Sequence, residues 1–202
     1  MNSEPLPYKL IVDAGNVLLG CSSVLAWGDS GNSVEIDFGR YSDQLAGKSN
    51  RSIEFVDIAV HWGVCHPNRH PARYASEMTR IQRWERDSRV KVHTRRSRFD
   101  ESTGKYQEKC VDTAITLDVC TSQASGKYAG IVLASADRDL LPAVEHAYEE
   151  YAKGESRTRL ELARWQNQPS RLWLPGKKLW CHYLDESDLA RCSTRRNNRS
   201  VA

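Results

Sequence analysis

Apolar positions along the chain fall into two kinds of segment that alternate. Short runs rich in branched residues, YKLIVD at 8–13, Ser52 to Val64, Arg89 to Thr94 and the stretch 129–134 around Ile131-Val132-Leu133, predict strands. TRLELARW, ending at Trp165, and LWCHYL at 179–184 extend that series. Between them apolar residues recur at three- and four-residue spacing. Tyr74, Met78, Ile81 and Trp84 do so from Pro71 onward, and the same rhythm over 107–123 and 140–153 predicts further amphipathic helices. The scatter of Ile36, Phe38, Tyr41 and Leu45 over 34–48 reads as a surface helix, and Glu186 and Asp188 mark the first turn of a small last one. Strands alternating with helices predict an α/β domain in three layers, a central, mainly parallel sheet flanked by helices on both faces.

The breaks in this pattern are basic. Arg95-Arg96-Ser97-Arg98 with the Gly104 region reads as a loop, and Pro169 to Lys178 as an irregular segment. Residues 193–202, with Arg195, Arg196 and Arg199 among Asn and Ser, read as a disordered tail on a single domain spanning 1–192.

Composition changes this picture little. With 40% hydrophobic and 27% charged residues, 202 residues suit one soluble domain, and a formal charge of +3 permits a polyanionic partner without requiring one. Six scattered cysteines without a CxxC pair are expected as free thiols, which places the protein in the cytoplasm. Val17-Leu18-Leu19-Gly20-Cys21 has the look of a lipoprotein cleavage box. Glu4 ahead of a lone Lys9, and Asp13 and Asn16 inside the apolar stretch, argue against a signal, and no run is long enough for a membrane helix.

Candidate chemistry sits at strand ends. Asp13 closes the first strand, and Asp137 and Asp139 follow the buried run Ile131 to Ala134, at the carboxyl end of a sheet where open α/β folds place ligands. On a helical wheel for 107–123, Asp118 falls inside the apolar arc from Leu117 to Val119, and Asp112 lies at its edge in the first turns. A carboxylate on a buried face costs several kcal/mol unless it is paired, hydrogen-bonded or bound to a cation. The alternatives are a dipole partner for Asp112 and a backbone-amide cap for Asp118. Hard oxygen ligands without His or Cys suit Mg²⁺ or Mn²⁺, and such an ion activates water against a phosphodiester. Lys109 is placed to meet an anion, and Arg95, Arg96, Arg98 and Lys105 precede the acidic helix as a solvated loop or a phosphate contact.

Three segments, IVDAGNVLL (11–19), EKCVDTAITLDV (108–119) and IVLASADRDLLPAVEHA (131–147), resemble the motifs of NYN domains, the PIN-like ribonuclease group. LWCHYLDESDL (179–189) resembles the closing motif of actinobacterial-type members, so the likeness spans roughly 8–190. The resemblance implies a PIN-like fold and a metal-dependent nuclease, an endoribonuclease, with RNA as partner. It implies Asp13, Asp112 and Asp137 as metal acids, Asp139 as a further ligand, and Asp118 and Asn16 in support. Cys110 stands where the family usually has Gly, and Ala136 and Arg138 are less usual there; Arg138 either contacts phosphate or obstructs it. The alternatives are an inactive RNA- or protein-binding module on the same fold, or a phosphatase using Asp137 and Asp139, against which Ser135-Ala136 intervene after the strand.

Other signals carry less. His61, Cys65, His66 and His70 lack the spacing of structural zinc motifs. Cys181-His182 reads as a packed Cys beside an exposed His, because strand neighbours point to opposite faces. The six tryptophans read mostly as core, Trp173 included, although its basic surroundings would also suit base stacking.

Overall fold

A computed structural model describes residues 4–25 and 34–195. In chain order the elements are β1 (Leu6–Asp13), α1 (Ala14–Gly20), β2 (Val34–Ile36), α2 (Phe38–Lys48), β3 (Ile53–Val64), α3 (Pro71–Trp84), β4 (Val90–Arg96), β5 (Arg98–Asp100), β6 (Lys105–Gln107), α4 (Val111–Ala124), β7 (Gly130–Ala134), α5 (Leu141–Lys153), β8 (Arg159–Trp165), β9 (Cys181–Leu184), α6 (Glu186–Cys192) and β10 (Ser193–Arg195). Six strands form one sheet in the order β4-β3-β1-β7-β8-β9, and every pairing in it is parallel. The strands run outward in one direction from β1 and in the other from β7. The sheet therefore has its topological switch between those two strands, and a crevice opens at their carboxyl ends.

Parallel strands covered on both sides read as unbroken apolar runs. All five residues of β7 and the last six of β1 are buried. One core, containing Leu10, Val12, Val60 and Trp165, lies under α1, α2, α3 and α6; the other, containing Ile11, Leu133 and Leu162, lies under α4 and α5. The expected α/β three-layer architecture is what the chain forms.

Several local expectations are corrected. Residues 34–48 are not one surface helix: Ile36 belongs to β2, Asp37 caps α2 by accepting from the Arg40 amide, and Phe38, Tyr41 and Leu45 are fully buried. β2 pairs antiparallel with β10, so residues 193–195 of the expected tail are a strand; Arg196, Arg199 and Trp27 lie outside the described residues. The basic loop is an antiparallel hairpin, β5 against β6. The helix expected from 107 begins at Val111, after Cys110 in a left-handed conformation (φ 64°), and Leu117 points to solvent. His182 is buried, not exposed, because it faces the buried Glu161 across the β8–β9 ladder and bonds it at 2.7 Å, while Tyr8 Oη donates to the same carboxylate. Trp84 and Trp165 are core, whereas Trp173 and Trp180 are nearly half exposed.

All six cysteines are free. The residues of the lipoprotein-like box form α1 and its exit, with Val17, Gly20 and Cys21 buried. Among the described residues no helix is long and apolar enough to cross a membrane.

Candidate metal centre at the strand switch

Asp13 is the last residue of β1 and the N-cap of α1. Its side chain is 4% exposed as a residue, and both carboxylate oxygens are held: Oδ1 accepts from the Asn16 amide at 3.1 Å and Oδ2 from the Ser135 hydroxyl at 2.9 Å. Ser135 follows β7 directly, and its Oγ also accepts from the Asp137 amide at 3.0 Å. Asp137 in turn caps the short 3₁₀ turn at 138–140, accepting from the Asp139 amide. Asn16 closes the arrangement from the other side. Its Oδ1 accepts from the Ala136 amide (2.9 Å) and from Gln168 Nε2 (3.0 Å), tying the ends of β1 and β7 to the segment after β8.

α4 brings the third acid. Asp112 stands in its first turn, and one carboxylate oxygen each from Asp13, Asp112 and Asp137 lie within 4.8 Å of one another. The three acids line an open pocket of about 520 Å³ together with Asn16, Glu108, Leu18, Leu19, Trp62 and Arg80. Among the described residues none of the three takes part in an ion pair with a lysine or arginine.

The electrostatics follow from that crowding. Burial pushes the Asp13 pKa above the usual carboxylate range, and the charges of Asp112 and Asp137 add to it, against the two hydrogen bonds that favour its ionised form. Asp112 is an exposed residue whose carboxyl is partly desolvated, and that desolvation raises its pKa, with the charges of Asp137 and Asp139 adding to it. Glu108, not foreseen as a site residue, is raised by burial, then by Asp13. Its carboxylate accepts from the Gly63 amide at 3.2 Å, and a Cβ on Gly63 would stand 2.6 Å from it, so a side chain there would displace it. Like charges gathered this way favour a cation between them.

The other expected residues separate. Asp139 is exposed and reaches the cluster through its amide and its field. Asp118, about 9 Å along the helix from Asp112, does not join the acids. It accepts from Lys9 Nζ (2.6 Å), His61 Nε2 (3.0 Å) and Ser122 Oγ (3.0 Å), which hold its carboxyl well below the usual range against its desolvation. The backbone cap expected of Asp118 is replaced by side-chain partners, His61 and the buried Lys9 first among them. Lys109, Arg95, Arg96, Arg98, Lys105 and Arg138 are all exposed, and none lines the acidic pocket. Arg98 instead borders a cleft with His66, Asn68, Arg69 and Phe99, and Arg138 a crevice with Arg171 and Trp173. Among the described residues the cation that lines the pocket is Arg80, on α3. The residues set aside for zinc disperse: His61 bonds Asp118 and stacks on His93, while His70 shares a hydrogen bond with Tyr106 Oη.

No family model matches the chain, and no curated protein is similar to it in sequence. The crystal structure of a protein of unknown function from Vibrio parahaemolyticus is similar in fold, with a TM-score of 0.54 over 92% of this chain and 97% of that one. At 15% identity that likeness bears on the fold alone.

Proposed function

We propose that the protein is a divalent-metal-dependent nuclease of the NYN kind that hydrolyses phosphodiester bonds, acting as an endoribonuclease. The observation that carries the reading is the convergence of Asp13, Asp112 and Asp137 within 4.8 Å at the switch point of the sheet. Three carboxylates from three separate elements, without imidazole or thiolate among them, fit Mg²⁺ or Mn²⁺. Such an ion, when bound, supplies activation of water and neutralisation of charge on the phosphate.

The chain's own residues supply position. Ser135 and the Asn16 amide hold the Asp13 carboxylate in one orientation from both sides, so the donor set needs little rearrangement to accept a cation. Asp137 is held by the turn it caps, and Asp112 by a helix packed on β1, β3 and β7. Glu108 faces the same space from its hydrogen bond to Gly63 and serves as a further carboxylate for water or cation. Arg80 lines the pocket wall with Trp62 and Leu19, where a phosphate or base can approach. RNA cleavage assayed with Mg²⁺ or Mn²⁺ and again with EDTA tests the reading. A soluble, folded Asp137→Asn protein that cuts as fast as the parent contradicts it.

A further inference from the structure

Trp173 has no role in the fold that its size would lead one to expect. It lies in an extended segment where Leu172 and Leu174 are 5% and 6% exposed and Trp173 between them is 47% exposed. The two leucines anchor the segment in the core under α4 and α5, and the alternation turns the indole outward. A tryptophan normally contributes one of the largest buried areas in a protein, so a half-exposed one between two buried leucines is a surface feature and not a packing one.

Its surroundings are cationic. The Arg171 guanidinium lies 5.2 Å from the ring centroid, and Arg138, directly after Asp137, borders the same crevice. From Gln166 to Leu184 the chain has no acid and carries Arg171, Lys177 and Lys178. The segment is also tied to the acidic centre: the Ser170 hydroxyl donates to the Ala136 carbonyl at 2.8 Å, and Gln168 Nε2 donates to Asn16 at 3.0 Å.

We propose that Trp173, flanked by Arg171 and Arg138, is a stacking platform for a nucleobase of single-stranded RNA, holding the strand beside Asp137. An aromatic face takes up an unstacked base, and the two guanidiniums match the phosphates on either side of it. Bases inside a duplex already have stacking partners, so the platform selects unpaired strands. The choice of RNA rests on the nuclease reading; the stacking itself does not.

The test is metal-free binding, in EDTA, of a fluorescently labelled single-stranded RNA of about 12 nucleotides, a length matched to surface sites of this kind. Base stacking contributes about 1–3 kcal/mol per base, so Trp173→Ala is expected to weaken binding about tenfold, with Trp173→Phe retaining most of it. A strand with abasic positions should weaken the parent by a similar factor and leave Trp173→Ala unchanged. The proposal is overturned if the parent does not bind, if Trp173→Ala binds as tightly as the parent, or if that variant still discriminates abasic from intact strands as the parent does. Circular dichroism confirms that the variants are folded. Trp173-dependent binding in a protein that cuts no RNA with Mg²⁺ or Mn²⁺ counts against the nuclease reading and leaves the platform standing.

Discussion

Single residues carry two kinds of strain here. Cys110 holds a left-handed backbone (φ 64°, ψ 11°) just before α4, a conformation that costs a non-glycine residue about 1–2 kcal/mol. Cys110→Gly should stabilise the protein by about 0.5–1 kcal/mol after allowance for the entropy glycine loses on folding, read as a higher urea midpoint at unchanged slope. Asp118 is the opposite case, a charge the fold needs. Asp118→Asn leaves Lys9, whose side chain is 10% exposed, with Asp57 at 3.9 Å as its remaining acid, and should cost about 3 kcal/mol in chemical denaturation. In the sequence, Asp118 is visible as an acid in an apolar arc, but its partner is not, because Lys9 is 109 residues away and looks like any strand lysine. Glu108 lies four residues before Asp112, yet nothing local marks it: its place follows from the contact with the Gly63 amide on β3. Arg80 has no sequence signal at all beyond membership of α3.

Elements were most legible where periodicity is strong. β1, β3, β7 and α3 fall where the apolar pattern puts them, because burial on both faces or along one stripe dictates that pattern. The 34–48 segment reads as a single helix because β2 is only three residues long and its partner, β10, comes from the far end of the chain. The hairpin β5–β6 was hidden by its charge, and is held by side chains on its surface: Phe99 and Tyr106 pack edge to face, with Arg69 over one ring and Arg73 over the other. β7 lies close against β1, and a Cβ on Gly130 would meet the Tyr8 ring at 2.4 Å. Gly130→Ala should therefore destabilise the protein by about 1–3 kcal/mol through overpacking of the switch strands, seen as a lowered melting temperature. Asp112→Asn at the start of α4 works in the other direction. Because the folded protein raises the Asp112 pKa, its ionised form opposes folding at neutral pH, and neutralising it should raise the melting temperature in EDTA.

At the scale of the whole molecule, two acid populations give the stability a definite pH profile. Asp118 and Glu161 have depressed pKa values, the first from His61 and Lys9 and the second from His182, each against desolvation. Their contribution is present above the unfolded carboxylate range, near 4, and is lost as pH falls below it toward their folded values. Melting temperature should fall on acidification through that window, and less steeply in Asp118→Asn. Asp13, Asp112 and Glu108 are shifted the other way, by desolvation first and by neighbouring acids second, so their ionised forms oppose folding at neutral pH. A cation between them would relieve that cost, in keeping with the convergence of Asp13, Asp112 and Asp137. The site as a set of acids was legible from strand ends and one helix face; its closure by Ser135, Asn16 and Gln168 was not, since those bonds join segments over 100 residues apart.

The most direct measurement is cleavage of a single-stranded RNA by purified parent and by Asp137→Asn protein, each with Mn²⁺ and with EDTA. The parent is expected to cut with Mn²⁺ and to stop in EDTA, and Asp137→Asn, folded by circular dichroism, to lose at least about a hundredfold in rate. Equal cleavage by parent and variant, or none by the parent with either Mg²⁺ or Mn²⁺, contradicts the account.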